Sequence, residues 1–187
     1  LFSILLVCGC GKEEVTPPTA EELIRQGWAK FSAGNFAGAS GDFNAALGLN
    51  SSAYEAYLGL GWAELSRSHG GLAENYFLTY LSKVTGSNDD AKAGLAFAYH
   101  TQDKFLSAIN MANQVLSSAP SWVFIHDDKI NYEDVALVLA HSYYETADYA
   151  HSLEVVQQYL DPDYEADVNT AEGRAELADR IRELYTG

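Results

Sequence analysis

The chain has 187 residues, 48% of them hydrophobic, with 15 Gly and 4 Pro, a balance that suits one folded domain with a sizeable core rather than a disordered polymer. A net charge of −15 argues against a nucleic-acid partner, which needs a basic face, and disfavours docking of the folded body on an anionic bilayer. The two cysteines, Cys8 and Cys10, both lie near the start, so the rest of the chain holds neither a cysteine nucleophile nor a Cys-based zinc site.

Leu1 to Val7 is an apolar run too short to span a bilayer. It reads as the hydrophobic stretch of a secretion signal whose charged start precedes Leu1. Val7-Cys8-Gly9-Cys10 is similar to a bacterial lipobox. The resemblance implies cleavage before Cys10, lipidation of Cys10 and export to a bacterial membrane, with several acyl chains giving a firm anchor. Gly11, where an Asp would favour inner-membrane retention, points to the outer membrane. Residues 1–9 are thus a partial signal peptide. Residues 10–19, with Pro17-Pro18, form the lipidated cysteine and a short extended tether.

Thr19 and Glu22 have the spacing of a capping box and open a first helix carrying Leu23, Gly27 and Phe31 at helical intervals. Gly34-Asn35 breaks it, and a second helix is expected from about Phe36 to Leu49. The pattern then returns after 34 residues: Gly27-Trp28-Ala29 as Gly61-Trp62-Ala63, Ala39 as Ala73, Phe43 as Phe77 and Leu47 as Leu81. Leu95-Ala96, Tyr99, Phe105, Ala108 and Pro120 continue it, followed more weakly by Leu139-Ala140, Tyr143, Tyr149 and Ser152. These residues resemble the tetratricopeptide repeat. The resemblance implies an all-α right-handed superhelix of about four helical hairpins over residues 20–160, with repeats near 20–53, 54–88, 89–121 and 132–160. In such repeats small residues let the two helices of a hairpin approach, and an aromatic fills the space against the next hairpin.

The step is uneven. Ala73 to Ala108 is 35 residues and Ala108 to Ser152 is 44, which places an insertion at 121–131. Its sequence, Ser121-Trp122-Val123-Phe124-Ile125-His126, is apolar for a loop. Two readings stand: a segment folded back over a hairpin edge, or one that closes or lines a binding groove. Asn131 and Asp134 are placed to cap the helix that follows. After a turn at Asp161-Pro162-Asp163, residues 161–187 end in a helix with Leu177, Ile181 and Leu184 on one face and charged residues elsewhere, as a terminal cap requires.

The resemblance also places a concave groove along the first helix of each hairpin. Trp28, Trp62, Phe97 and His141 occupy one equivalent place there, and Phe31, Leu65, His100 and Tyr144 a second. Glu21, Glu55, Asp90 and Asp134 occupy a third. The tryptophans follow Gly27 and Gly61 directly, and one residue is about 100° of helical rotation, so they are expected to leave the hairpin interior and face the groove. An aromatic ladder beside a rail of carboxylates suits an apolar, aromatic or basic segment of an envelope protein. The Lys/Arg/Asn carboxylate clamp of chaperone-tail-binding members is absent, with Glu21, Ile24, Arg25 and Trp28 in its place.

Other chemistry is thin. Asp161, Asp163, Glu165, Asp167 and Glu172 mimic the acidic spacing of a calcium loop, but Ala166 stands where its glycine belongs. No nucleophile elbow, phosphate-binding loop, dinucleotide fingerprint or His-Glu-x-x-His spacing occurs, so neither catalytic residues nor a cofactor are expected. His100 and His141 are expected as groove neighbours, which admits a metal or a pH-sensitive pair. The leading expectation is a lipid-anchored interaction scaffold of the cell envelope. The rival is a carbohydrate-binding surface lipoprotein in which Trp28, Trp62 and Tyr144 stack on sugar rings.

Overall fold

The structure, a computed structural model, describes residues 17–186. The apolar run, Cys10 and most of the tether lie outside the described residues. The chain forms α1 (Ala20–Ser32), α2 (Phe36–Leu49), α3 (Glu55–Ser66), α4 (Gly70–Lys83), α5 (Asp89–His100), α6 (Phe105–Ser118), α7 (Tyr132–Glu145) and α8 (Tyr149–Val155). A π-helical turn, Val156–Leu160, extends α8, and α9 (Ala171–Thr186) closes the chain. Among the described residues the sole β pairing is an isolated bridge, Val123 with Asn131. No described helix is long and apolar enough to cross a membrane.

Successive helices pair as antiparallel hairpins, α1/α2, α3/α4, α5/α6 and α7/α8, and each hairpin packs on the next. The odd-numbered helices also pack on one another, α1 on α3, α3 on α5, α5 on α7 and α7 on α9, and so form the inner, concave layer. This is the all-α stack that the repeat pattern implies.

The recurring glycines and phenylalanines explain the closeness of that stack. A Cβ at Gly27 would lie 2.6 Å from the Phe43 ring, and one at Gly59, in the next hairpin, 2.3 Å from it. Phe77 is gripped the same way, with a Cβ at Gly61 falling at 2.5 Å and one at Gly94 at 2.2 Å. Each ring is therefore fully buried between the glycine of its own hairpin and that of the following one. The turn within each hairpin also repeats: Gly34, Ser68, Asp103 and Ala147 all take the left-handed conformation, with φ of 75°, 64°, 57° and 62°. Glycine adopts this φ freely, whereas the other three residues are strained there.

Side-chain caps mark the starts of α1, α2, α7 and α8. Thr19 Oγ1 accepts from the Glu22 amide at 3.2 Å. At α7 the Asn131 side chain accepts from the Glu133 amide, and Asp134 accepts from the Asn131 amide, both at 2.8 Å. Helix α9 buries Leu177 and Ile181 against α7, and an Arg180–Asp161 ion pair at 2.7 Å ties it to the preceding turn.

Candidate functional site

The concave face divides into two unlike halves. Over α1, α3 and the start of α5 it is filled by the insertion between α6 and α7. Residues 122–124 run extended across the inner layer and turn at 125–126, which the Asp127 amide closes by donating to the Phe124 carbonyl at 3.2 Å. Trp122, Phe124 and His126 point inward, whereas Val123 and Ile125 point outward, Ile125 being 78% exposed. Phe124, fully buried, stacks on Trp62 with ring centroids 4.2 Å apart and meets Trp28 and Phe31 edge-on at 5.9 Å. His126 lies flat on Trp28 at 3.6 Å and 4° between planes. Trp122 stacks beyond Trp62 at 6.4 Å.

Polar bonds fix this plug at both ends. The Trp122 indole donates to Asp90 at 2.7 Å, and Ser32 at the end of α1 donates to the His126 carbonyl at 2.7 Å. Its base closes through Phe124 N to Ile130 O at 2.9 Å and Tyr132 N to Trp122 O at 2.8 Å.

The expected exposure of the aromatic ladder is therefore corrected. Trp28 is 6% exposed and Trp62 1%. The turn from Gly27 to Trp28 does leave the hairpin interior, but the chain's own loop covers the face it reaches. Phe31 is also buried, between Phe36 of its own hairpin and Phe124.

The carboxylate rail is engaged as well. Glu55 accepts the Trp28 indole at 3.0 Å, Asp90 accepts Trp122, and Asp134 serves the α7 cap. Burial raises the Asp90 carboxyl above its ordinary range, against the opposing pull of the Trp122 bond. Glu21 stays exposed at the open end of α1. Desolvation likewise lowers His126 to about 4, so the imidazole on Trp28 is neutral at neutral pH.

The second half, over α5, α7 and α9, is open. Phe97, His100, His141, Tyr144 and Leu65 are half-buried. Two recesses of about 340 and 280 Å³ lie on either side of Tyr185, one bounded by His141, Tyr144, Glu145 and Arg182, the other by Phe97, His100, Asp134 and Leu184. At their common wall His100 Nε2 lies 2.9 Å from His141 Nδ1, and the Tyr185 hydroxyl is 3.4 Å from the same His100 nitrogen. Burial and the neighbouring His141 lower His100 to about 4. Tyr185 is pushed up to about 12 by burial of its hydroxyl end and by Asp134, although the ring as a whole is 46% exposed.

The expected adjacency of His100 and His141 is thus met as direct contact. Tyr185 continues the Leu177–Ile181 stripe at i+4 spacing, so it reads from sequence as part of the capping face rather than of the groove.

Among solved structures the chain is similar to MamA MSR-1 C2, with a TM-score of 0.60 at 15% identity, covering 87% of this chain and 79% of that one. A tetratricopeptide repeat protein from Parabacteroides merdae ATCC 43184 also matches, with a TM-score of 0.60 at 17% identity, over 89% of this chain and 61% of that one. The fold is that of a tetratricopeptide-repeat array. No family model matches the sequence, and no curated protein matches it. At these identities the likeness concerns the fold alone.

Proposed function

We propose that this tetratricopeptide array is a scaffold that holds a partner protein or peptide in the bacterial cell envelope, tethered to the membrane through lipidated Cys10. The observation that carries the reading is the unequal groove: the half over α5, α7 and α9 presents Phe97, His100, Tyr144 and Tyr185 around two open recesses. Amphipathic rings around a recess bind a segment at low side-chain entropy cost, and the chain's net charge of −15 favours a basic or apolar segment. The carbohydrate reading keeps only Tyr144 of its three stacking rings, because Trp28 and Trp62 present their faces to His126 and Phe124.

The test is co-purification of the full chain from detergent-solubilised envelope, compared with Tyr144→Ala plus Tyr185→Ala. A defined partner retained by the parent chain and lost from the double variant, with helicity unchanged, supports the site. Equal recovery by both would remove it. Lipid attachment is tested separately by acyl-chain labelling, which Cys10→Ser must abolish.

A further inference from the structure

Three helix ends meet at the histidine pair. His100 is the last residue of α5, His141 lies one turn before the end of α7, and Tyr185 is the penultimate residue of α9. Each helix C-terminus carries partial negative charge, which favours a cation in the space between them. Glu145, at the end of α7, and Asp103 and Asp134 add formal negative charge nearby.

The imidazoles are also oriented. His141 Nε2 faces the Glu145 carboxylate at 3.5 Å, a charge contact that favours a proton on Nε2 and so favours Nδ1 as the lone-pair donor. That Nδ1 points at His100 Nε2, 2.9 Å away. Phe105 meets both rings edge-on, at 5.9 and 6.0 Å, and holds the pair together. Two nitrogens bound tetrahedrally at Zn–N lengths of about 2.0–2.1 Å sit about 3.3 Å apart, so the pair must open by a few tenths of an ångström and each ring must tilt by roughly 35° to aim its lone pair at the ion.

We propose that His100 Nε2 and His141 Nδ1 bind one divalent transition-metal ion of the imidazole-preferring class, Zn²⁺ or Cu²⁺. Glu145 orients His141, and the Tyr185 hydroxyl hydrogen-bonds to metal-bound water. Among the described residues no three His, Cys, Asp or Glu side chains converge on one point, so the ion keeps water at its remaining positions and exchanges freely. Binding displaces the proton that His100 Nε2 shares with His141, which moves to His100 Nδ1 or to solvent. The site does not depend on the partner reading, since the purified chain alone suffices to test it.

The experiment titrates the full chain in detergent with Zn²⁺, and then with Cu²⁺ and Ni²⁺, in excess Mg²⁺ by calorimetry. The expected result is one ion per chain, with Cu²⁺ bound more tightly than Zn²⁺ or Ni²⁺. His100→Gln and His141→Gln should each weaken binding at least tenfold, and Glu145→Gln about tenfold through loss of orientation. His69→Gln and His151→Gln, at histidines elsewhere on the surface, should leave it unchanged. Glu145 is exposed, so its variant keeps the fold even where a histidine variant does not. Binding that excess Mg²⁺ abolishes, or that Glu145→Gln and the folded histidine variants leave at the parent level, overturns the proposal.

Discussion

Phe124→Ala tests whether the insertion is a built part of the core or a loop lying on it. The ring is fully buried against Trp28, Phe31, Trp62 and Trp122. A buried aromatic removes about 150–250 Å² from water, and truncating one in a core costs about 3–5 kcal/mol with the cavity included. With a urea slope of about 2 kcal/mol/M, that lowers the midpoint by about 1.5–2.5 M. The chain's three tryptophans, Trp28, Trp62 and Trp122, all sit in this cluster, so emission excited where the 12 tyrosines do not absorb reports on it alone. The variant should shift tryptophan emission to the red and admit a soluble quencher before the helices melt. Ile125→Ala is the control: it lies on the same loop but is 78% exposed, and its effect should stay within about 0.5 kcal/mol. A Phe124→Ala midpoint equal to that of Ile125→Ala, with emission unchanged, would refute the plug as a component of the core.

Gly59→Ala places a Cβ 2.3 Å from the Phe43 ring, so despite a helix-propensity gain of about 1 kcal/mol it should destabilise by about 1–3 kcal/mol in thermal melts. Pairing it with Phe43→Leu should restore part of that loss, and strict additivity of the two variants would count against the contact. Ala147→Gly relieves the left-handed strain at φ 62° and should stabilise by about 1 kcal/mol in urea melts; a loss of stability there would contradict the strain argument. His126 is lowered to about 4 in the folded chain, below its unfolded value, so its contribution is complete above about pH 6.5 and is lost as pH falls through about 4. Because the ring is only half-buried, solvent screening reduces the effect to on the order of 1 kcal/mol. His126→Phe keeps the stack without the titration, so the parent should lose stability relative to this variant between pH 6.5 and 4, and parallel curves would discount the linkage.

The hairpins were legible because their packing rule is local and repeated. Gly27 with Phe43, and Gly61 with Phe77, recur at one spacing, since a ring seated on a glycine is a contact each hairpin must remake. The turns were less so, because one φ near +65° is served by Gly34 once and then by Ser68, Asp103 and Ala147, which carry no such signature. The groove assignment went astray for a different reason. Helical rotation correctly sends Trp28 and Trp62 out of the hairpin interior, but it does not say whether the face they reach meets solvent. That was decided in the insertion between α6 and α7, where Trp122, Phe124 and His126 alternate with Val123 and Ile125. Three rings at alternate positions in an insertion already too apolar for a loop are the signal in the sequence that the groove was occupied.

The plug alters the mechanics of the array. A stack of repeats is quasi-one-dimensional, with each hairpin touching its neighbours and stability falling toward the ends. Here the segment before α7 bonds Ser32 in the first hairpin, Asp90 in the third, and packs on Trp62 in the second. It closes a contact across 94 residues of sequence that neighbour-to-neighbour stacking does not supply. The first three hairpins are thereby clamped into one unit, while α7, α8 and α9 stack on it in the ordinary way. Closure is therefore uneven along the concave face: the aromatic plug fills it over α1 and α3, whereas the recesses beside Tyr185 stay unfilled. On the proposed scaffold reading, concentrating the aromatic plug at the N-terminal end leaves the recesses over α5, α7 and α9 as the docking surface.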